Sequence, residues 1–446
     1  RDPFNIVLPF LGTYWFLYVL KFFALKDILH ALFPEDLVLW GMLMALAGLA
    51  AFYCGCRSRL SPSLALALPR VPARWPAGAL FPYAVLLFLL AAAGEALFIS
   101  RSGGWLHFFS FPRGAGDYQH NTAYLYNLRW LSAPAGAFLA VEILANRLQG
   151  VKKLVGAGLL GLSIAYFFFL GQRSAMLLFG LLLAGAWFYA RPSRPRRILP
   201  LALVFLPFLL AAGIIGLCRS EFHLDSSWAQ TRALLRQDKV AVLQALGQNL
   251  LYTGSEPDNP HQEPVLYLGV LQAVPERVDY DYGKPYLNYL VHWIPRLWWP
   301  EKPNFRLEGV RRLEGVMGTD LKGPVLTILG YFYANLGPAG VLLGMYLTGL
   351  GLTVIYLWFR SQPDSLGAMV LYLPLIHYGV LAAFCQGIFA LWDTFLPFFV
   401  VPTLGGFLYL RLLGHRHPYG GNRRRLQAPP GTRHGLSGCR RGPAAG

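Results

Sequence analysis

Long apolar runs, interrupted by one polar stretch, restrict this chain to a small set of folds. Upstream of residues 219–322 lies "RILPLALVFLPFLLAAGIIGL", and downstream lie "GVLLGMYLTGLGLTVIYLWF" and "FLPFFVVPTLGGFLYLRLL". A bilayer core about 30 Å thick is crossed by roughly 20 apolar residues in a helix, and these runs reach that length. The sequence therefore predicts an all-α polytopic membrane protein whose working surface is the polar stretch 219–322.

The composition agrees with a membrane protein. Hydrophobic residues make up 55% of the chain and charged residues only 14%, against about 25% charged in a soluble domain. A net charge of +17 would indicate nucleic-acid binding in a soluble protein. Here the basic residues follow the connections between apolar runs, so nucleic acid is not an expected partner.

The apolar runs predict ten transmembrane helices, within an overall expectation of 10–12. They lie near 4–24, 36–56, 77–99, 129–146, 154–170, 174–190, 198–218, 338–359, 366–385 and 394–412. With residue 1 in the cytoplasm, the inner connections are 57–76, 147–153, 191–197, 360–365 and the tail from 411.

The charges are distributed unequally between the two sides of this topology. The inner connections hold 20 Lys or Arg and a single acid, Asp364, whereas residues 219–322 hold 12 Lys or Arg and 13 Asp or Glu. Short cytoplasmic loops carry such an excess of Lys and Arg. The pattern predicts that both termini are cytoplasmic and that residues 219–322 face outward.

Four regions follow from this topology. Residues 1–218 are the N-terminal transmembrane helices, 219–322 a large periplasmic loop, 323–414 the C-terminal helices, and 415–446 a basic tail that is predicted to be disordered. The first part of 323–414, "GPVLTILGYFYANLGP", is too short and too rich in Gly and Pro to span. It is predicted to be a re-entrant or tilted half-helix, which is tolerated only where protein or a wet cavity covers its backbone.

Arginines recur at the predicted outer membrane level. Arg129 opens a helix, Arg173 lies in the tight turn "LGQRSAM", Arg219 follows a helix end, and Arg296 lies in "WIPRLWWPEKPNF" together with Lys302. A guanidinium grips phosphate through two parallel hydrogen bonds and stays charged. The pattern favours a ligand with phosphates at headgroup height, although snorkelling from a helix end explains Arg219 equally well.

Two parts of the chain resemble a known family. "YGKPYLNYLVHWIPRLWWPEKPNF", followed by "GPVLTILGYFYANLGPAGVLLG", is similar to the late outer loop and next helix of bacterial oligosaccharide repeat-unit polymerases, the O-antigen and exopolysaccharide polymerases of Wzy type. "GQRSAMLLFG" resembles the short outer turn of the same family. The resemblance covers about 171–180 and 282–345.

The resemblance implies a glycosyltransferase of the inner membrane, with an architecture like that of other transferases that use lipid-linked sugars. Its donor is a growing glycan on undecaprenyl diphosphate, its acceptor is one lipid-linked repeat unit, and it requires neither metal nor cofactor. Expected partners are membrane lipids, a chain-length regulator and a flippase. In such an enzyme, preorganised arginine side chains stabilise the negative charge that develops on the leaving diphosphate.

Specific residues take roles in this interpretation. Arg173, Arg296 and Lys302 match the family motifs, whereas Arg219 and Glu221 are chosen from charge and position alone. Arg173, Arg296 and Glu221 are predicted to be catalytic, with Glu221 as the base. The predicted substrate-binding residues are Arg219, Lys302, Arg306, Trp298, Trp299 and Tyr331. Trp298 and Trp299 also suit an interfacial aromatic belt.

Two alternatives remain open. An O-antigen ligase shares the arginines and uses an outer-loop histidine, for which His261 and His292 are candidates. A flippase or other transporter predicts internal repeats and charged residues deep inside helices. No repeat is evident, and Glu95, Glu142 and Asp393 fall near predicted helix ends.

Three structural expectations follow from the polymerase interpretation. Residues 219–322 should form short helices over the outer ends of the bundle, because pieces such as "EPVLYLGVLQAVP" need a surface to pack on. A cavity beneath them should open sideways to lipid, and Arg173 should converge with Arg296 on one anion site.

Overall fold

The computed structural model of this chain is helical throughout the part that it describes. It describes residues 2–101, 104, 125, 127–170, 172–190, 199–217, 263–291, 294, 298–299, 301, 326–362, 365–384 and 391–413. Within these ranges every regular element is a helix, as predicted.

The described helices are numbered here in chain order. They are α1 (Val7–Ala24, with a π-helical stretch Phe16–Leu20), α2 (Lys26–Leu32), α3 (Glu35–Cys56), α4 (Leu60–Ala67), α5 (Phe81–Arg101), α6 (Ser132–Leu144, preceded by a 3-10 turn Arg129–Leu131), α7 (Gly150–Phe169), α8 (Arg173–Tyr189), α9 (Leu199–Leu217), α10 (Glu263–Ala273), α11 (Lys284–Val291), α12 (Ile328–Arg360), α13 (Leu366–Phe384) and α14 (Val401–Leu412, continuing a π-helical segment Leu391–Val400).

Helices occupy all ten predicted positions. Seven of the described helices are long and apolar enough to cross a membrane: α1, α3, α5, α7, α12, α13 and the segment Phe395–Leu412 that ends in α14. The helices α6, α8 and α9 fill the other three positions, and α6 has only 13 residues. The class of polytopic α-helical membrane protein is therefore confirmed.

The carboxylate of Asp2 gathers the ends of two helices beside the start of the chain. The Tyr189 hydroxyl, at the end of α8, donates to Oδ1 at 2.8 Å. The Tyr356 hydroxyl donates to Oδ2 at 3.3 Å, and the Arg360 guanidinium lies 3.5 Å from the same oxygen. Segments that the charge pattern assigns to one side therefore meet at one end of the bundle.

Glu142, in the last turn of α6, holds another connection at that end. Its Oε1 accepts a hydrogen bond from the Trp75 indole at 2.5 Å, and its Oε2 accepts one from the backbone N–H of Gly78 at 3.0 Å. The Arg147 side chain donates to the Trp75 carbonyl. A carboxylate that accepts hydrogen bonds on both oxygens is well satisfied, so Glu142 has a structural role.

Helices α3 and α12 approach each other closely. A methyl group added at Gly55 would collide with the carbonyl oxygen of Tyr346, and one added at Gly349 would collide with that of Phe52. Small residues allow membrane helices to pack backbone against backbone, where van der Waals contact replaces the missing hydrophobic drive. These two glycines allow α3 and α12 to pack closely against each other.

Helix α12 is broken near its start. Leu336 and Gly337 leave helical geometry, and Gly337 has φ +61°. The ring of Phe332 lies 2.5 Å from the position that a Cβ at Gly344 would take. Residues twelve apart in a straight helix are about 18 Å apart along its axis, so the chain folds back at the break. Residues 328–335 form the predicted half-helix, and all of them are buried.

Helix α10 is one of the short helices predicted within residues 219–322, and it is buried against the end of α1 and the first turns of α3. The residues from Pro264 to Leu271 are buried, and the Tyr267 hydroxyl donates to the Gly41 carbonyl within α3 at 3.0 Å. Its neighbours are α3, the π-helical stretch of α1 and α12. An almost wholly apolar helix packs on all sides, so α10 is part of the bundle.

Candidate functional site

The half-helix 328–335 is anchored at both ends by polar contacts. At its start, the Leu329 N–H donates to the Tyr18 hydroxyl at 3.3 Å, and the Thr327 hydroxyl accepts from Gly330 N–H at 3.5 Å. At its end, the backbone N–H groups of Asp281 and Tyr282 donate to the carbonyls of residues 334 and 335, at 2.9 and 3.0 Å. These contacts satisfy backbone groups that a short helix leaves unpaired.

A buried ion pair lies close to the start of the half-helix. Lys21, at the end of α1, is only 2% exposed, and its Nζ lies 2.5 Å from Oε2 of Glu263, the first residue of α10. The ammonium also lies 5.4 Å from the centre of the Phe16 ring. Breaking such a pair from one side leaves an uncompensated buried charge, so it holds α10 to α1.

Tyrosines cover the other side of the half-helix. The ring of Tyr331 lies edge-on to that of Tyr286, with centroids 5.6 Å apart. Burial, and in addition the neighbouring Tyr331 and Asp281, raise the pKa of the Tyr286 phenol above its ordinary value. The Tyr286 hydroxyl therefore stays protonated at neutral pH. Tyr282, by contrast, is 67% exposed and has φ +48°.

A second polar group is enclosed between three helices. Glu95 from α5, Arg129 from the turn before α6, and Tyr166 from α7 interact electrostatically. Glu95 is 5% exposed and Arg129 is also buried. Within the described part of the chain, the Glu95 carboxylate and the Tyr166 hydroxyl have no hydrogen-bond partner outside this group. We call these three residues the Glu95 cluster.

A small aromatic cavity is lined in part by Trp130, the residue that follows Arg129. Its lining residues are Trp130, Ala133, Leu178, Pro374, Tyr378, Phe398 and Phe399. Trp130 follows Arg129 in sequence and packs on Phe167 at a centroid distance of 5.2 Å. The cavity is thus bordered by α6, α8, α13 and the π-helical segment before α14, and its lining is almost wholly apolar.

The predicted site residues fall in different places. Arg173 begins α8 and is partly exposed, at the end of the bundle where α7 finishes near Tyr166. Trp298 is 78% exposed and Trp299 is 38% exposed, whereas Tyr331 is buried. Arg219, Glu221, Arg296, Lys302, Arg306, His261 and His292 lie outside the described residues, and so does the predicted meeting of Arg173 with Arg296.

Glu95 is the site residue that no sequence pattern singles out. Its surroundings in α5, "AAAGEALF", resemble any apolar helix with one acid. Its burial depends on Arg129 and Tyr166, which follow in later helices. An ionisable residue inside an apolar helix of a membrane protein is a sign of function. This general rule is the one signal in the sequence that could have pointed to Glu95. Among the described residues, no three His, Cys, Asp or Glu side chains are grouped to hold a metal ion.

The fold and these polar sites define a polytopic α-helical membrane protein with a buried half-helix and a buried charged cluster. A comparison of the chain with known protein families, with curated proteins and with solved structures found no match.

Proposed function

We propose that this protein is a glycosyltransferase that polymerises undecaprenyl-diphosphate-linked oligosaccharide repeat units at the periplasmic face of a bacterial inner membrane. The growing glycan, held on its lipid diphosphate, is transferred to one new lipid-linked unit. The product is O-antigen or exopolysaccharide, and undecaprenyl diphosphate is released.

The half-helix is the observation that carries this proposal. The segment "GYFYANLGP", which resembles the polymerase motif, forms residues 330–338 and includes the break at Gly337. Interrupted helices in membrane proteins occur where the backbone is buried in protein or lines a cavity, and they often mark substrate sites. The half-helix also positions Tyr331 against Tyr286, beside the exposed Tyr282.

The arginines supply the second support. Arg129 and Arg173 lie near the ends of α5 and α7 that are remote from Asp2. A diphosphate leaving group accumulates negative charge in the transition state, and preorganised guanidinium groups stabilise it. In the proposed site, Arg173 and Arg296 bind the diphosphate, with Lys302 and Arg219 around them.

The proposed reaction breaks one bond and forms one. The acceptor hydroxyl attacks the anomeric carbon of the donor glycan, and the bond between that carbon and the diphosphate oxygen breaks. The hydroxyl proton passes to a base within hydrogen-bond reach, for which Glu221 is the candidate. Trp298, Trp299 and Arg306 are placed on the glycan and its charged groups.

A strain that lacks the gene tests the proposal. Loss of polymer, with single repeat units still transferred to lipid A core, supports a polymerase. Loss of all glycan from lipid A, with polymer accumulating on undecaprenyl diphosphate, would indicate a ligase instead. Purified protein supplied with synthetic lipid-linked repeat units should then make polymer without any other enzyme.

A transporter of lipid-linked oligosaccharides is the second candidate. The observation that favours it is the Glu95 cluster, because charged groups buried between helices are typical of transport pathways. In the deletion strain, this reading predicts that lipid-linked repeat units accumulate in the inner leaflet. A polymerase deletion leaves them exposed in the outer leaflet, so an impermeant lectin distinguishes the two.

A further inference from the structure

Helix α3 ends well short of its neighbour α12. A methyl group added at Gly349 of α12 would lie 3.1 Å from the backbone nitrogen of Cys56, the last residue of α3. From that level α12 continues to Arg360, about 16 Å further along its axis at 1.5 Å per residue. The end of α12 meets Asp2, as does the end of α8. Arg57, which follows α3, therefore lies in the half of the bundle nearer Asp2 but roughly 15 Å from its end.

Helix α4 carries the chain across that distance, along the side of α12. Just before α4, the Tyr346 hydroxyl donates to the Ser58 hydroxyl at 3.0 Å. Just after α4, the Trp358 indole donates to the Pro69 carbonyl at 2.9 Å. Since Tyr346 and Trp358 lie about 18 Å apart along the axis of α12, α4 descends beside α12 towards the Asp2 end.

The face of α4 that points away from α12 is made largely of leucine. The helix buries the small residues Ser61 and Ala65. It leaves Leu60, Leu64 and Leu66 exposed, at 56%, 45% and 58%. Such an apolar surface needs cover, which the acyl chains of the bilayer supply in a membrane protein. Lipid therefore extends along α4, beyond the end of α3.

Two arginines lie at the start of this lipid-covered surface. Arg57 and Arg59 are both exposed, and residues 57–76 include four arginines and no acid. Arg57 donates to the Tyr53 hydroxyl at 3.3 Å, and its guanidinium lies 5.8 Å from the centre of that ring, one turn back along α3. It is thus not extended towards the Asp2 end, as a snorkelling arginine would be. A cation beside acyl chains is costly unless a counter-charge reaches it.

We propose that the junction of α3 and α4 binds the headgroup of one anionic phospholipid, in the leaflet on the Asp2 side. The guanidinium groups of Arg57 and Arg59 bind its phosphate, and its acyl chains lie on the exposed leucines of α4. Two cations without a nearby acid in sequence favour a headgroup with a net negative charge, because the ammonium of a zwitterionic headgroup is repelled. The site is independent of the proposed reaction, since it lies in the half of the bundle remote from Arg173.

Titration with two lipids tests the proposal. Phosphatidylglycerol and phosphatidylcholine with the same acyl chains are added to the full chain in detergent, and native mass spectrometry gives the dissociation constant of the first bound lipid. We expect the wild type to bind phosphatidylglycerol about tenfold tighter or more, because a hydrogen bond between charged groups contributes at least that factor. Arg57→Gln/Arg59→Gln should lose this preference. Arg59→Gln alone leaves the contact between Arg57 and Tyr53 in place and should lose part of it.

A charge-matched variant is the control. Arg70→Gln/Arg74→Gln removes the same charge from the same connection, at two exposed positions beyond α4, and should keep the preference. Thermal unfolding checks that each variant is folded. Equal loss in Arg70→Gln/Arg74→Gln would show a general attraction of basic residues for acidic lipid and would overturn the proposal. A wild type without preference, or an unchanged preference in Arg57→Gln/Arg59→Gln, would overturn it as well.

Discussion

At the scale of single residues, Glu142 shows what a buried carboxylate needs in this bundle. Its two oxygens accept from the Trp75 indole and from Gly78 N–H. We expect Trp75→Phe to lower the free energy of unfolding by about 1–3 kcal/mol, because one carboxylate oxygen loses its donor. Thermal unfolding in detergent measures this. Trp15→Phe, at a half-exposed position on α1, is the control and should change stability much less.

Substitution of Arg173 separates a loss of phosphate binding from a loss of folding. It is partly exposed at the first position of α8, so Arg173→Ala should insert and fold normally. We expect polymer synthesis to fall by about a hundredfold or more, as for the loss of one transition-state donor. Arg173→Lys should recover only part of the rate, because the charge remains but the bidentate geometry is lost. Full activity of Arg173→Ala and Arg296→Ala in vitro would contradict the phosphate role.

At the scale of elements, the half-helix depends on one glycine. Gly337 has φ +61° and ψ −147°, and a Cβ there would lie 2.8 Å from the Tyr280 hydroxyl. We expect Gly337→Ala to destabilise the protein by roughly 1–3 kcal/mol through backbone strain alone and to abolish polymer synthesis. Gly161→Ala is the matched control in α7, where nothing lies within 4 Å of the added methyl group. It should be neutral or slightly stabilising.

Some of these elements could be predicted from the sequence and others could not. Long apolar runs located the ten helices, because membrane insertion depends on length and hydropathy along the chain. The half-helix was predictable from "NLGP" and its short length, but the fold-back that brings its Phe332 against Gly344 was not. Glu95 and helix α10 could not be placed, since their burial depends on partners far away in sequence, such as Tyr166 for Glu95 and Gly41 for α10. The arginine motif near Arg296 lies outside the described residues.

At the scale of the whole molecule, the topology predicts which end of the bundle faces the cytoplasm and which faces the periplasm. Arg59 lies at the Asp2 end of the bundle, in the connection after α3, and Tyr282 lies beside the end of the half-helix. In a background with all five cysteines replaced, we expect a membrane-impermeant maleimide to label Tyr282→Cys from the periplasm. Arg59→Cys should react only after the membrane is opened. Labelling of Arg59→Cys in intact cells would reverse the proposed orientation.

The buried half-helix also has a consequence for how the protein is made. Residues 328–335 are too few to be recognised as a span during translation, because insertion requires a much longer apolar run. These residues pack beside Tyr18 of α1 and Gly48 of α3. Both helices leave the ribosome long before residues 328–335 do. We therefore expect α1 and α3 to be inserted in the bilayer before the half-helix packs against them. A chain in which α1 or α3 inserts late would expose this segment to quality-control proteases.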